Sequence, residues 1–254
     1  MDDLRGKVAL ITGGSGGFGR AIGAAFADRG ASVALADLPN RATDVERVVG
    51  ALREKTEACG IQIDVREVAS IKSAVDETVA TLGSVDIVVC NAGLNVRKTA
   101  FEMTEVDWDA VVDVNLRGVF FSAQAAATQM VRQGHGGKVV SIASIMGLVG
   151  SPFGSGVAYC SSKAGVVNMT RALAIEWAEH NINVNAVAPT YVLTPLTEQM
   201  FADPARLRPV LERTPMGKLA TPEAIADAVV FLASPQADMI TGVTLPVDCG
   251  WTAW

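Results

Sequence analysis

The fold of this 254-residue chain is decided by residues 7–37, KVALITGGSGGFGRAIGAAFADRGASVALAD. An apolar strand, a glycine-rich turn, a helix and a second apolar strand follow one another here, and the second strand ends on Asp37. The glycines Gly13, Gly17 and Gly19 let the backbone approach a pyrophosphate, and the following helix offers unpaired N–H groups and a positive dipole end. Because the turn follows a strand, opens a helix and precedes an acidic residue about twenty positions on, the stretch predicts a dinucleotide site.

Apolar, β-branched runs alternate with helical patterns along the rest of the chain. They read VALIT, SVALA, IQIDV, DIVVC, KVVSIAS, INVNAVA and VTLPV. Strands buried on both faces have continuous apolar runs, and helical connections make neighbouring strands parallel. We therefore expect an α/β protein with one domain over 1–254, a Rossmann-type doubly wound sheet of about seven parallel strands with helices on both faces. The helices are predicted near 17–29, 41–58, 67–82, 104–133, 157–179 and 221–233.

Residues 189–220 form the most irregular part of the pattern. This segment carries five prolines, at positions 189, 195, 204, 209 and 215. Irregular segments of this kind often cover a pocket, so we expect a substrate lid here.

A possible catalytic group lies in the second half of the chain, where Tyr159 and Lys163 stand four residues apart and Ser144 precedes Tyr159 by fifteen. If the segment is helical, the phenol and the ammonium share one face. Lowering a phenol pKa from about 10 to roughly 7 needs about 4 kcal/mol of preferential stabilisation of the phenolate, which a neighbouring cation can supply. The pair alone is also typical of an ordinary amphipathic helix, so it gains meaning only beside the dinucleotide site.

Further motifs make the chain resemble the short-chain dehydrogenase/reductase family nearly end to end. The matching residues are Thr12-Gly13-x-x-x-Gly17-x-Gly19, Asp64-Val65, Asn91-Ala92-Gly93, the tetrad Asn115, Ser144, Tyr159 and Lys163, the segment 185–195, and the tail VDCGW. Two departures stand out. Thr190 replaces the glycine usual after Pro189, and the stretch before Tyr159 is longer, with extra residues at 151–156 beside the substrate mouth.

The resemblance implies hydride transfer between a nicotinamide cofactor and a secondary alcohol or ketone. It implies that Ser144 holds the substrate oxygen, Tyr159 transfers the proton, Lys163 lowers the phenol pKa and binds the cofactor ribose, and Asn115 anchors a water. Asn115 could instead satisfy backbone groups in a kinked helix, and Ser144 could cap a strand end. The expected cofactor-binding residues are Gly13, Ser15, Gly17, Phe18, Gly19, Asp37, Asp64, Val65, Asn91, Ala92, Gly93, Tyr159, Lys163, Pro189, Val192 and Thr194.

The choice between NAD and NADP can be argued from charge. Asp37 ends the second strand, where its carboxylate can accept both ribose hydroxyls and repel a 2′-phosphate. The turn Gly14-Ser15-Gly16 offers no arginine to bind such a phosphate, and Arg41 is expected to cap or solvate a helix start. The sequence therefore favours NAD.

The substrate is less well defined by the sequence. Polar candidates near the mouth are Asn95, Arg97, Lys98, Ser151, Ser155 and Tyr191, and apolar candidates are Met146, Leu148, Val149, Phe153 and Val192. The polar set and the resemblance of LNVRK and GWTAW to the gluconate and polyol branch favour a polyol, sugar or sugar acid. A 3-oxoacyl-carrier-protein reductase, a reductase of hydrophobic ketones and a non-catalytic dinucleotide sensor remain alternatives.

Composition limits the possible partners. With 21 basic and 27 acidic residues the net charge is −6, and no basic block occurs, so nucleic acid and anionic membranes are not expected. The uncharged run 139–162 is interrupted by glycines, serines and a proline, so we expect no membrane span. Four scattered cysteines and a charged N-terminus favour a cytoplasmic protein, and isolated His135 and His180 predict no metal site.

The resemblance also implies a homotetramer. One interface would use the helices at 104–133 and 157–179, and another the 221–233 helix with the last strand. Apolar side chains that could contribute there are Phe120, Phe121, Ala125, Trp177 and Phe231, although each could equally pack in the core.

Overall fold

Seven parallel strands form one sheet in this computed structural model, which describes residues 3–152, 155–194 and 197–254. The strands are β1 Val8–Thr12, β2 Ser32–Asp37, β3 Ala58–Gln62, β4 Ile87–Cys90, β5 Gly137–Ile142, β6 Ile182–Pro189 and β7 Thr244–Val247. Their order across the sheet is β3-β2-β1-β4-β5-β6-β7, with every neighbouring pair parallel. The predicted doubly wound α/β fold is confirmed, and its topological switch point lies between β1 and β4.

Helices cover both faces of the sheet. They are α1 Gly17–Asp28, α2 Ala42–Leu52, α3 Val68–Leu82, α4 Glu105–Val112, α5 Gly118–Gln133, α6 Val157–Trp177, α7 Glu198–Phe201, α8 Pro204–Arg213 and α9 Pro222–Ala233. One apolar core joins the sheet to α1, α2 and α9, and a second joins the opposite face to α3, α5 and α6. Both faces of the central strands are therefore buried, which explains their uninterrupted apolar runs.

Helix ends follow local chemistry. Thr104 caps α4 in a reciprocal pair with Asp107, and Thr221 caps α9 just before Pro222. Gly83 and Gly134 end α3 and α5 with φ of 92° and 78°, a backbone region that glycine enters without strain.

The second helix and third strand differ from the sequence prediction. The helix expected to reach residue 58 ends at Leu52, and the strand expected at 61–65 begins at Ala58. Ala58 is paired with Val33, and Asp37 with Gln62, so hydrogen bonding to β2 overrides the helical pattern of this stretch. As an edge strand, β3 alternates buried and less buried residues, so it does not show the continuous apolar run of a central strand.

Two other segments also differ from expectation. The predicted helix 104–133 contains a π-helical turn at Asp113–Arg117, between α4 and α5. Residues 189–220 are less irregular than predicted, because they contain α7 and α8. Pro204 occupies the first turn of α8, where proline is well tolerated, and Asp203 caps it with a bond from the amide of Ala205.

Candidate active site

A cavity of about 1530 Å³ opens at the carboxyl ends of the strands. It is lined by the glycine turn, the ends of β2 to β6, the start of α6 and parts of α7 and α8. Most residues predicted to bind cofactor line it; they are Gly13, Ser15, Gly17, Phe18, Asp37, Asp64, Val65, Asn91, Ala92, Gly93, Tyr159, Lys163, Pro189, Val192 and Thr194. Gly19 and Asn115 lie behind this surface. Gly154 and Phe153 of the 151–156 stretch fall outside the described residues, as does Pro195 of the predicted lid.

The glycine turn requires glycine for two different reasons. Gly13 has φ of 66°, and an added Cβ there would lie 3.0 Å from the Cα of Ala92. An added Cβ at Gly19 would overlap the carbonyl oxygen of Gly13 and lie 2.7 Å from the Cα of Gly14. Gly19 therefore acts through close packing of α1 on the turn, which agrees with its place behind the cavity wall.

Asp37 is held by the glycine turn itself. One carboxylate oxygen accepts the amide of Ser15 at 3.0 Å and its hydroxyl at 2.7 Å, and the other accepts the amide of Leu38 at 2.9 Å. Carboxylate oxygens have about four acceptor positions in total. Three of these positions are therefore used by the protein, and the carboxylate is fixed facing the cavity.

Arginines near Asp37 were missed or underestimated in the sequence. Arg20 and Arg66 line the same part of the cavity as Arg41. The side chain of Arg20 donates to the carbonyl of Ser15 at 2.6 Å, and Arg41 is paired with Asp44 at 3.4 Å. Sequence reasoning did not identify Arg20 because, although it directly follows Gly19 in the first turn of α1, it is not part of the glycine motif.

Asp64 is neutralised by its neighbour. A hydrogen bond from the Arg66 side chain lowers the pKa of the Asp64 carboxyl, against the raising effect of burial. Asp64 thus lines the cavity as a carboxylate already paired with a cation.

The switch point is locked by side chains. The hydroxyl of Thr12 accepts the amides of Asn91 at 3.0 Å and Ala92 at 3.1 Å. The Asn91 side chain donates to the carbonyls of Thr12 and Gly13 at 2.9 and 3.0 Å. The carboxyl ends of β1 and β4 are therefore cross-linked around the crevice that a ligand would enter.

Asn115 lies in the π-helical turn and is fully buried. Its amide group accepts the N–H of Leu94 at 2.9 Å, donates to the carbonyl of Leu94 at 2.8 Å and lies 3.4 Å from the hydroxyl of Ser162. Two of these contacts satisfy backbone groups of Leu94, as the alternative interpretation of Asn115 predicts. An added Cβ at Gly93 would be 3.3 Å from its side-chain oxygen and 3.8 Å from Nζ of Lys163, so these three groups converge.

Ser144, Tyr159 and Lys163 meet at the wall of the cavity. The hydroxyl of Ser144 accepts the amide of Met146 at 3.1 Å, which caps a short 3₁₀ turn. Nζ of Lys163 donates to the carbonyl of Ile142 at 2.7 Å and lies 5.7 Å from the Tyr159 ring centroid. One helical face carries the tyrosine and the lysine, as the spacing of four predicts.

The pKa values differ from expectation. Burial raises the pKa of the Tyr159 phenol, while the neighbouring Ser144 hydroxyl and the charge of Arg97 oppose that rise. Burial lowers the pKa of the Lys163 ammonium to about 8. Lys163 is not among the groups that act on the Tyr159 pKa here, since the lysine is itself desolvated and bonded to a carbonyl, and its role in lowering the phenol pKa stays a prediction.

The wall beyond Tyr159 is largely apolar. Ile145, Met146, Phe201, Val210 and Trp251 form a small buried core, and Tyr191 packs edge-on to Trp251 with ring centroids 5.3 Å apart. The helices α7 and α8 thus contribute wall residues that sequence reasoning did not identify, since proline composition concealed their helical pattern.

The polar substrate candidates separate into two groups. Asn95, Arg97, Ser151, Ser155 and Tyr191 line the cavity. Lys98 does not line it, because its ammonium is paired with Asp107 at 2.5 Å. Of the apolar candidates, Met146 and Val192 line the cavity, whereas Val149 packs beside the small core and Leu148 is exposed.

Two other features concern metals and membranes. Within the described part of the chain, no cluster of three or more histidine, cysteine, aspartate or glutamate side chains is placed to hold a metal ion. In the same residues, none of the helices is long and apolar enough to cross a membrane.

Comparison with known proteins identifies the family. A family model described as enoyl-(acyl carrier protein) reductase matches residues 13–252. The chain is 40% identical over 251 residues to 2-dehydro-3-deoxy-D-gluconate 5-dehydrogenase of Escherichia coli (strain K12), covering 98% of this chain and 97% of that protein. It is 38% identical over 250 residues to a 3-oxoacyl-[acyl-carrier-protein] reductase of Thermotoga maritima, covering 97% and 98% of the two chains.

A solved structure supports the same assignment. A protein from Agrobacterium tumefaciens with bound NADP matches with a TM-score of 0.90 and 38% identity, covering 100% of this chain and 99% of that one. The sheet order, the glycine turn and these full-length similarities agree, and the chain belongs to the short-chain dehydrogenase/reductase family.

Proposed function

We propose that this protein is an NAD-dependent dehydrogenase that interconverts a secondary alcohol and its ketone in a polyol, sugar or sugar acid. The observation that carries the proposal is that Ser144, Tyr159 and Lys163 line the same cavity as the glycine turn. A proton-transferring group must share a pocket with both the substrate oxygen and the hydride acceptor. The similarity to a gluconate-derivative dehydrogenase supports the substrate class.

The residues present fit a nicotinamide dinucleotide. A Cβ at Gly13 would press on Ala92 and a Cβ at Gly19 on Gly13 and Gly14, so glycine at both positions keeps the tight turn that a pyrophosphate would approach. Asp37 would hold the ribose, Asp64 and Val65 the adenine side, and Pro189, Val192 and Thr194 the nicotinamide. A bound nicotinamide supplies the hydride acceptor or donor of the reaction.

Side chains of the protein would bind the substrate oxygen and transfer the proton. Ser144 would hold the substrate oxygen, and Tyr159 would remove the hydroxyl proton in oxidation or return it in reduction. Lys163, with a pKa of about 8, can exchange a proton near neutral pH. Asn115 would keep Gly93 and the Leu94 backbone in place beside Lys163. We also propose that Asn115 anchors a water.

The preference for NAD rests on Asp37. A fixed carboxylate at the ribose position repels a 2′-phosphate, and the two bonds from Ser15 prevent it from turning away. Arg20 and Arg41 could attract such a phosphate and count for NADP. We expect the effect of Asp37 to outweigh that of the arginines, because Arg41 is already paired with Asp44 and Arg20 donates to the carbonyl of Ser15.

We further propose a homotetramer, with one domain over 1–254 and a lid at 189–220. Of the suggested interface residues, Phe231 is 43% exposed, which favours a contact through α9. Phe120, Phe121, Ala125 and Trp177 are half-buried against the core, so their contribution to an interface is smaller than the sequence indicates. Light scattering at micromolar concentration tests this, and a stable monomer would contradict it.

One observation favours a second candidate, the reduction of a hydrophobic ketone or a 3-oxoacyl thioester. The apolar wall of Ile145, Met146 and Phe201 beside Tyr159 would suit an alkyl chain. Turnover with NAD and NADP should be measured for polyols, aldonic acids, apolar secondary alcohols and ketones, and a β-ketoacyl thioester. We expect the hydroxylated compounds to be preferred by at least about tenfold in kcat/KM, or about 1.4 kcal/mol. A preference for the apolar compounds would favour the second candidate, and no turnover at all would favour a non-catalytic sensor.

A further inference from the structure

A threonine hydroxyl at the catalytic end of the cavity is buried without a hydrogen-bond partner. In the described part of the chain, four buried side-chain polar atoms are in this state, on Ser122, Thr190, Thr244 and Trp251. Of these four residues only Thr190 lines the cavity. A buried hydroxyl without a partner destabilises a protein, so a hydroxyl kept in the wall of a ligand site indicates that the ligand supplies the partner.

The backbone around Thr190 is fixed on both sides. The N–H of Thr190 donates to the carbonyl of Val247 in β7 at 3.2 Å, and the carbonyl of Tyr191 accepts the amide of Ala220 at 3.1 Å. A bridge between Val192 and Ala220 follows directly. Thr190 as a whole is partly exposed although its hydroxyl is buried. A rotation about χ1 that exchanges the hydroxyl and the methyl group would therefore turn the oxygen toward the cavity without moving the backbone.

Thr190 lies beside the residue expected to hold the reacting oxygen. The strands β5 and β6 are paired, and the N–H of Ala143 donates to the carbonyl of Val187 at 2.8 Å. Ser144 continues this extended backbone with φ of −169° and ψ of 157°, so it lies level with the last residue of β6, directly before Thr190. Neighbouring strands lie about 4.8 Å apart. A substrate oxygen bonded by Thr190 would therefore be carried by the carbon next to the reacting one.

The surroundings of Thr190 are apolar and lie on the substrate side of the cavity. Tyr191, the next residue, packs edge-on to Phe201 and Trp251 with ring centroids 6.0 and 5.3 Å apart. These rings belong to the same small core as Tyr159. A hydrogen bond in apolar surroundings discriminates strongly, because an analogue that lacks the matching group leaves the protein hydroxyl unpaired.

We propose that Thr190 is a specificity-determining residue whose hydroxyl turns toward the bound substrate and hydrogen-bonds a hydroxyl group on the carbon next to the reacting one. The preferred substrate is then a vicinal diol, or the α-hydroxyketone formed from it, rather than a simple secondary alcohol. Glycine, the residue usual at this position, would offer no such bond. This inference rests on the proposed dehydrogenase function and deepens it by naming the residue that selects the substrate.

Matched pairs of compounds test the inference. Acetoin is compared with butanone, propylene glycol with isopropanol, and vicinal cyclohexanediol with cyclohexanol, since each pair differs by the hydroxyl next to the reacting carbon. The wild-type protein should prefer the hydroxylated member of at least one pair by about tenfold or more in kcat/KM. Thr190→Val should lower that ratio by about tenfold, whereas Thr190→Ser, which keeps the hydroxyl, should retain most of it.

Thr244→Val is the matched control, because the hydroxyl of Thr244 in β7 is also buried without a partner but Thr244 does not line the cavity. It should leave the ratio unchanged. In denaturant unfolding of the free protein, both valine variants should be at least as stable as wild type, since each removes an unpaired buried hydroxyl. A Thr190→Val protein less stable than wild type, or an equal effect of the two variants on the ratio, would overturn the assignment.

A binding measurement separates substrate recognition from cofactor recognition. Thr190→Val should bind NADH and ADP-ribose, followed by fluorescence and by isothermal titration, with Kd within about twofold of wild type. Weaker binding of NADH alone would assign the hydroxyl to the nicotinamide and overturn the inference. If alcohols react but the ratio is independent of Thr190, the assignment of Thr190 is wrong and the dehydrogenase remains. If no alcohol or ketone reacts with either cofactor, the proposed function is wrong and the inference fails with it.

Discussion

The two ends of the cavity are built in different ways, although one sheet edge supports both. At the cofactor end, polar groups are fixed by one another: Asp37 by Ser15, and Asn91 by Thr12 and Gly13. At the catalytic end, the hydroxyl of Thr190 is buried without a hydrogen-bond partner. Three other buried polar side-chain atoms in the described residues share this state, but only Thr190 lines the cavity.

The two ends differ in whether their polar side chains find hydrogen-bond partners within the protein. A buried hydroxyl without a partner costs about 1–3 kcal/mol, so its retention needs an explanation. At the cofactor end, the polar side chains of Asp37, Asn91 and Thr12 are hydrogen-bonded within the protein. The catalytic end keeps an unsatisfied hydroxyl at the one position where the family usually has glycine. Substitutions at the two ends should therefore have separable effects.

The largest effect is expected from Tyr159→Phe at the catalytic end. Removing the hydroxyl that we propose transfers the proton should lower kcat by about 10²-fold or more, the lower range for general acid–base catalysis. NADH binding, followed by fluorescence, should change little because the cofactor end is intact. Tyr191→Phe is the matched control, since Tyr191 is the other tyrosine of the chain and also lines the cavity. Comparable losses in the two variants would contradict a special role for Tyr159.

A second substitution sharpens the comparison from the cofactor end. Asp37→Ala combined with Leu38→Arg replaces repulsion of a 2′-phosphate by attraction, and should shift the ratio of kcat/KM for NADP over NAD by about 10²-fold. Steady-state kinetics with both cofactors measure the ratio. A wild-type protein that already prefers NADP would show that the arginines at 20, 41 and 66 outweigh Asp37.

A third prediction compares two glycines. Gly19→Ala inserts a Cβ against the backbone of Gly13 and Gly14, so the turn must shift, and we expect KM for the dinucleotide to rise about tenfold. Gly50→Ala is the control, because Gly50 is exposed in α2 with open space around its Cα. It should leave KM unchanged and stabilise the fold by about 0.5–1 kcal/mol. If both variants bind the cofactor normally, the close-packing argument for Gly19 fails.

The smallest effect concerns Lys163, which lies between the two ends. Its pKa is about 8 in the folded protein and about 10.5 when unfolded, so the folded state carries a destabilising buried charge that is fully present below pH 8. That penalty declines as the pH rises from about 8 to 10.5. Lys163→Met should therefore raise the free energy of unfolding by about 1 kcal/mol or more at pH 7, and the difference should shrink at pH 9.5. Denaturant unfolding at both pH values measures it, and a variant less stable than wild type at pH 7 would contradict the argument.

Much of the fold follows from the sequence, and the reasons are local. The residues of β1, β2 and the glycine turn occupy their predicted places because period and turn chemistry act over a few positions. The third strand starts three residues early because pairing with β2 is a tertiary interaction. The helices α7 and α8 were missed since proline at the start of a helix and proline in a loop look alike in sequence.

The site shows the same pattern. Most residues in contiguous motifs line the cavity as predicted, whereas Arg20 and Arg66 are brought there by the geometry of α1 and of the segment after β3. Arg97 and Lys98 cannot be told apart by sequence alone, because the pairing of Lys98 with Asp107 on α4 depends on the fold. The pKa of Tyr159 was also beyond sequence reasoning, since it depends on burial.

The pairing of Asn115 with Leu94 has a consequence for hydrogen exchange. Leu94 follows β4 in a stretch without regular secondary structure, and 38% of its surface is exposed, so its amide would ordinarily exchange rapidly with solvent. Its N–H is instead donated to a buried side-chain oxygen, and its carbonyl accepts from the same amide group. The Asn115 side chain thereby makes the pair of hydrogen bonds that a neighbouring strand would make with Leu94. We expect the Leu94 amide to exchange as slowly as amides inside the sheet, because this bond breaks only when the π-helical turn unwinds.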